Sequence, residues 1–333
     1  MVDTLSVADP AFAHSYPELH HYTSHAGLSG ILESQTIWAT HFFHLNDSSE
    51  VSLLRNPLIE AVKRRSLRAL IDRQRTSLRL RMSLQKCGGA PRVAQGDADR
   101  LVSILYEKIF GGGLAVPFIA SFCSHVNDQT YEKKNGLLSQ WRGYGKGGGF
   151  CIVFDTTAFV TILEAEFNAY NWTLLRIAPV HYAYDDIDVD TLFPELIERC
   201  AAFFARPLDN KPPLVDEAGL APFFMSACPL FKHQGFREER EVRIVAIPAA
   251  AEVLRSFFAQ HPEYNVSERW KTIHARSDAN IRYLKLNDHR NKDALPIKRV
   301  IVGPSQAQTE NLEQARGIVG DIPVMCSATP FRG

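Results

Sequence analysis

Two carboxylates stand one residue apart at the mouth of an apolar run: Glu239-Arg240-Glu241, followed by Val242, Ile244, Val245, Ala246 and Pro248. In an extended chain, side chains two apart share a face. Glu239, Glu241 and Arg243 then form one polar row while Arg240, Val242 and Ile244 turn the other way. Three charges on one face of a strand otherwise fit for a core must be solvated in a cleft or paired. The segment is therefore either a cleft wall carrying a working carboxylate or an edge strand with a Glu–Arg ladder. A carboxylate in a cleft can take a proton or stabilise a developing positive charge. On the first reading Glu241→Gln leaves folding intact and abolishes the chemistry.

A second chemically unusual stretch is residues 140–149, QWRGYGKGGG. Trp141 and Tyr144 flank Arg142 and either stack on a planar ring or pack beneath the loop. The glycines make a mobile loop or bring backbone close to a ligand. They feed a strand instead of opening a helix, and GxxxxGK[ST] spacing is missing, so this is not a phosphate loop. Asp47, Glu50 and Asp155 share no metal-site spacing, and no metal site is assigned. His20, His21 and Thr23, and Ser121 and Ser124, decorate two short apolar runs. Serines at strand ends are commonly caps, and a histidine there is commonly a satisfied edge residue. Six cysteines lie far apart with no CxxC pair and read as buried free thiols.

These groups need a scaffold, and 333 residues at 45% hydrophobic can bury a large core. With 37 basic and 37 acidic residues, nothing global argues for a nucleic-acid or membrane partner. The N-terminus has no basic start followed by an apolar run, and no stretch approaches bilayer length, so the expected location is the cytoplasm. Residues 20–40 read as strand, helix and strand, with Ser24 or Thr23 capping. Residues 51–86 read as a long helical pattern broken near Pro57, dense in Arg and Lys. Together with the 111–113 glycine hinge they make 51–113 a basic helical insertion in one domain spanning 1–333. A solvated face is the ordinary meaning of such a charge run. Nucleic acid is the partner that the helix at 55–86 would suit, although it carries no interleaved aromatic residue. Strands are expected at 116–124, 150–155, 176–184, 281–286, 298–304 and 322–327, with helices between several of them. The class is α+β or mixed α/β with sheets at the centre.

Three pieces set side by side resemble the motif strands of the ADP-ribosyltransferase superfamily: His21-Tyr22-Thr23-Ser24 before GLSGILES, Ser121-Phe122-Cys123-Ser124, and Glu239-Arg240-Glu241-Val242. The longer pattern filled by Tyr22 to Ser24, Leu45 to Glu50, Ser121 to Ser124, Trp141 to Gly145, Gly149 to Asp155, Glu239 to Arg243 and Val302 to Pro304 looks like a bacterial domain-of-unknown-function family proposed to share that fold. The resemblance implies an α+β domain with a split mixed or antiparallel sheet and NAD as substrate. It implies transfer of ADP-ribose to a protein or nucleic-acid acceptor, or NAD hydrolysis, in bacterial conflict or phage defence. Glu241 takes the catalytic place, with Glu239 orienting or deprotonating the acceptor. His21, with Thr23 assisting, binds ribose; Ser121 and Ser124 brace the carboxylate; Trp141 or Tyr144 stacks on nicotinamide. Tyr22 stands where the polymerase branch keeps glycine, Cys123 replaces a threonine, and either His20 or His21 is the motif histidine. The alternative is a non-catalytic nucleotide- or nucleic-acid-binding module of the same fold. On either reading the three strands converge, and His21, Ser121 and Glu241 line one cleft.

Overall fold

Apolar runs bounded by turn residues become strands here, and twelve form among the described residues. The structure, a computed structural model, describes residues 6–45, 50–110, 116–125, 130–145, 148–183, 187–204, 217–260, 268–276 and 281–330. The strands are β1 (Glu18–Thr23), β2 (Ile37–His41), β3 (Phe118–Cys123), β4 (Phe150–Asp155), β5 (Trp172–Pro179), β6 (His181–Ala183), β7 (Phe231–His233), β8 (Glu241–Pro248), β9 (Ile273–Ala275), β10 (Arg282–Leu286), β11 (Ile297–Val302) and β12 (Val324–Cys326). The chain divides into two compact units. One takes Met1–Leu45, Phe118–Val180 and Gly235–Gly333; the other takes Asn46–Pro117 and His181–Gln234. The expected insertion at 51–113 falls in the second unit, which also takes residues 181–234.

The first unit is built on a ten-stranded sheet whose centre is β3. One edge of β3 is shared: β1 meets it at His20↔Cys123, and β2 meets it at Thr40↔Ile119 and His41↔Phe118. From there the sheet continues through β1 to β4, β11 and β12, and through β2 to β10 and β9. Along the other edge of β3, β8 pairs from Phe118↔Ala246 to Cys123↔Glu241, and β5 closes the far side of β8. Every pairing in this sheet is antiparallel except β11 with β12, so the class is α+β with a mixed, mostly antiparallel sheet.

Both backbone edges of β8 are therefore occupied and every residue of it is buried. The edge-strand reading of Glu241–Pro248 is overturned: its charges sit in the interior of the sheet, where solvent cannot neutralise them. Alternation sorts the residues onto two faces. One carries the main core, including Leu19, Phe122, Phe154, Ile177, Ile244 and Val300. The other carries a smaller cluster of Tyr22, Cys123, Trp141, Cys151, Val153 and Ile301.

The first part of the glycine-rich stretch, residues 140–145, is more regular than its composition suggests. Leu138–Tyr144 is helical, and Gly145 ends the helix by donating its N–H to the Trp141 carbonyl. The glycines bring backbone against backbone: a Cβ on Gly149 would lie 2.7 Å from Gly145 Cα and 3.1 Å from the Thr23 carbonyl oxygen. Ser24 caps the helix His25–Ser34, accepting from Gly27 N at 3.2 Å. A lysine just before β9 supplies a core lock. Lys271 Nζ donates to Glu166 of the helix Thr156–Ala169 and, at 2.5 Å, to Asp288. Glu166 Oε2 also accepts the Asn287 N–H at 3.0 Å.

In the second unit the helix Arg55–Thr76 buries Leu58, Ala61 and Val62 and packs on the helix Ala90–Phe110. Pro57 does not break it, since a proline in the first turn removes an N–H that has no intrahelical acceptor. The break comes at Ser77, whose extended backbone and hydroxyl cap start the next helix, Leu78–Lys86. β6 and β7 form a short parallel pair. Asn46, Asp47, Ser48 and Ser49, the 111–113 hinge, Lys146, Gly147, Tyr184, Pro212 and Pro213 lie outside the described residues.

Candidate functional site

The three strands that carry the charged and hydroxyl motifs lie side by side in the order β1, β3, β8. Register does more than bring them near. Pairings Arg299↔Val153, Val153↔His20, His20↔Cys123 and Cys123↔Glu241 set five residues in one transverse row on the face of the smaller cluster. His20 and Glu241 are two strands apart in that row, about 10 Å between backbones. Ser121 and Arg243 pair beside them on the same face.

Glu241 is gripped by Arg243, which donates from Nε to Oε1 at 2.8 Å and from Nη2 to Oε2 at 3.0 Å. This side-by-side geometry fixes the plane of the carboxylate. Glu241 is 5% exposed and Arg243 2%. The expectation that Glu241→Gln leaves folding intact is thus revised, because the substitution discharges one half of a buried ion pair. Arg240, immediately before, has φ of +41°, an uncommon conformation for a side-chain-bearing residue, and its carbonyl accepts the Ser124 N–H at 3.0 Å. Glu239 belongs to the 3-10 turn Gln234–Glu239 and not to the strand. It is half-buried, and the polar row expected from alternation stops at Glu241.

His20, not His21, is the histidine of the row. It is fully buried, its ring 4.6 Å from that of His125, and neither ring nitrogen meets a partner at hydrogen-bonding geometry. Burial, then the neighbouring His125 and Arg299, hold its pKa well below the ordinary histidine value. His125 Nε2 lies 3.2 Å from the Tyr22 hydroxyl, which also accepts the Leu137 N–H at 2.7 Å. His21 is on the opposite face, against the Phe122 ring, with Nδ1 3.1 Å from the Ser121 carbonyl oxygen. The expectation that it shares a cleft with Glu241 is corrected, since one residue of register reverses the face. Thr23 goes with His21.

Ser124 is buried just beyond β3 and its hydroxyl has no hydrogen-bond partner. Trp141 is 1% exposed, edge-on to Tyr22 at 4.8 Å, and donates Nε1–H to the Asn135 carbonyl at 2.9 Å. Packed in this way it offers no ring face for stacking; Tyr144, at the end of the same helix, is 49% exposed. The structure thus joins Glu241, Ser121 and Ser124 with His20, and places His21 and Thr23 on the other face of the sheet. Sequence reasoning missed His125, Arg299 and Glu18. Arg299 holds Glu18 through two bonds of 2.8 and 2.7 Å. Of these, only His125 left a signal, standing directly after the Ser124 motif. Among the described residues no group of three or more His, Cys, Asp or Glu side chains could hold a metal ion.

The buried histidines set a pH dependence. His41 accepts an N–H from Arg282 at 2.8 Å on Nε2, and burial, then Arg282 and His44, lower its pKa to about 4. Between that value and the unfolded value of about 6.5, the unfolded chain holds a proton that the native state does not, so stability is lost as pH falls through this window. His20 acts with the same sign. Glu18, lowered to about 2 chiefly by its hydrogen bond to Arg299, adds a second loss, from about pH 4.5 downward. Urea midpoints measured between about pH 7 and pH 3 are expected to fall throughout. His41→Gln flattens the upper part of that fall, and Glu18→Gln only the lower.

Residues 140–244 match the model of a family described as "Protein of unknown function (DUF2971)". The matched stretch includes Trp141, Glu239, Glu241 and Arg243 but neither β1 nor β3. No curated protein and no solved structure matches the chain.

Proposed function

We propose that this protein consumes NAD as an ADP-ribosyltransferase-like enzyme, transferring ADP-ribose to an acceptor or to water. The observation that carries the reading is the transverse row: His20, Cys123 and Glu241 aligned on three adjacent strands whose motifs are more than two hundred residues apart in the chain. A ribose with a hydrogen bond at each end spans about the 10 Å between the outer two. In the reaction the bond from ribose C1′ to the nicotinamide nitrogen breaks, and its electron pair neutralises the ring charge. The oxocarbenium-like ribose is stabilised by the carboxylate of Glu241, which Arg243 holds in a fixed plane. An acceptor hydroxyl or water then bonds to C1′ and loses its proton to Glu239 or solvent.

A second reading rests on burial. With Glu241 and Arg243 almost wholly buried, the pair serves as a core ion pair that fixes β8 between β3 and β5. Incubation with NAD, with free nicotinamide measured over time, separates the two. Release of nicotinamide by the parent protein and its loss in Glu241→Gln supports the enzyme. No release at enzyme concentrations comparable to NAD, with folded protein, leaves the core ion pair.

A further inference from the structure

The end of the helical unit carries a surface that the row on the sheet does not use. The helix Leu78–Lys86 has two apolar ridges, set by its period of about 100° per residue. Leu80 and Leu84 are buried with Ala90 against Leu67, Leu70 and Val93. Leu78 and Met82, one turn apart on the opposite side, are 69% and 54% exposed, the two most exposed large apolar side chains among the described residues. The same period puts Arg79 and Lys86 on one flank of this outer ridge and Arg81 on the other; all three are exposed. Over residues 66–96 the chain has seven cations (Arg68, Arg73, Arg75, Arg79, Arg81, Lys86, Arg92) and one acid, Asp72, which pairs with Arg75 at 3.6 Å. The chain is neutral overall, so this excess is local.

We propose that the outer ridge of the helix Leu78–Lys86 docks on an anionic membrane surface. Charge alone suits any polyanion. The exposed Leu78 and Met82 select among polyanions, because a phosphate backbone offers nothing to bury them in, whereas the headgroup–acyl boundary takes an apolar ridge flanked on each side by cations whose long side chains reach back to the headgroups. Arg64 and Arg65 are not part of the surface, since both are tied to Asp190, at 2.5 and 3.0 Å. The contact lies in the plane of the surface: among the described residues no helix is long and apolar enough to cross a membrane.

Sedimentation of the full chain with vesicles tests this. The protein is expected to pellet with phosphatidylcholine vesicles containing about a third phosphatidylserine and to stay in the supernatant with phosphatidylcholine alone. Arg79→Gln with Arg81→Gln should weaken binding about 25-fold, from about fivefold per cation. Leu78→Gln with Met82→Gln should weaken it at least about tenfold while leaving the melting temperature unchanged, because both side chains already face solvent. Equal binding to both vesicle types, or to neither, overturns the proposal. Binding that survives loss of Leu78 and Met82, together with salt-sensitive capture of a fluorescent oligonucleotide, overturns it in favour of nucleic acid. A concentration-dependent mass by light scattering that Leu78→Gln abolishes overturns it in favour of a second copy.

Discussion

Glu241→Gln is expected to lower nicotinamide release from NAD by about 10²–10³-fold and, in the same protein, to cost about 2–4 kcal/mol of stability. The first effect follows from the proposed role of Glu241, whose charge would face the developing oxocarbenium. The second follows from leaving Arg243, 2% exposed, opposite a neutral amide. Because both effects come from one substitution, the double variant Glu241→Leu with Arg243→Met is the decisive comparison. Replacing a buried ion pair by apolar side chains of similar volume is close to neutral for stability, so the double variant should recover most of what the single one lost. Its turnover should not recover. Release measured at a temperature where all three proteins are folded, beside urea midpoints for each, gives both numbers. Parent-like turnover in the double variant would sink the assignment of Glu241 to the chemistry.

The long strands were legible, the short β7 and β9 were not, β5 and β6 read as one, and the site was legible only in part. Largely apolar runs such as Val242–Ile247 and Phe118–Cys123, each with a single polar interruption, have few alternatives to buried strands, and both are central. Which histidine joins Glu241 was not legible, because His20 and His21 differ by one residue and only the His20↔Cys123 register decides between them. The glycine-rich stretch read as a mobile loop or as backbone close to a ligand, whereas Gly145 and Gly149 mark backbone packed on backbone and Gly143 lies within a helix. The leucines at 78, 80 and 84 look alike on paper; which ridge is buried depends on where Ser77 restarts the helix. The lock around Lys271 left no signal at all, since its partners are 105 residues before and 17 after it in the chain.

That lock yields the other large effect. Lys271→Met is expected to destabilise the protein by about 3–5 kcal/mol. The ammonium is fully buried between Glu166, also fully buried, and Asp288, and it lies 4.2 Å from the centre of the Tyr170 ring. Methionine fills the volume of the lysine stem but leaves the Glu166 carboxylate, among the described residues, with the Asn287 N–H at 3.0 Å and His289 Nδ1 at 3.4 Å. The loss should therefore be a charge effect and not a packing one, and Glu166→Gln added to Lys271→Met separates the two. With no carboxylate to strand, the pair of substitutions should cost less than the sum of the single ones by about 1–3 kcal/mol, read from urea midpoints at constant slope. Additive losses would instead assign the effect to packing around Tyr170 and Trp172. Nicotinamide release in the folded fraction should be unchanged, since neither residue touches the row that runs from Arg299 to Glu241.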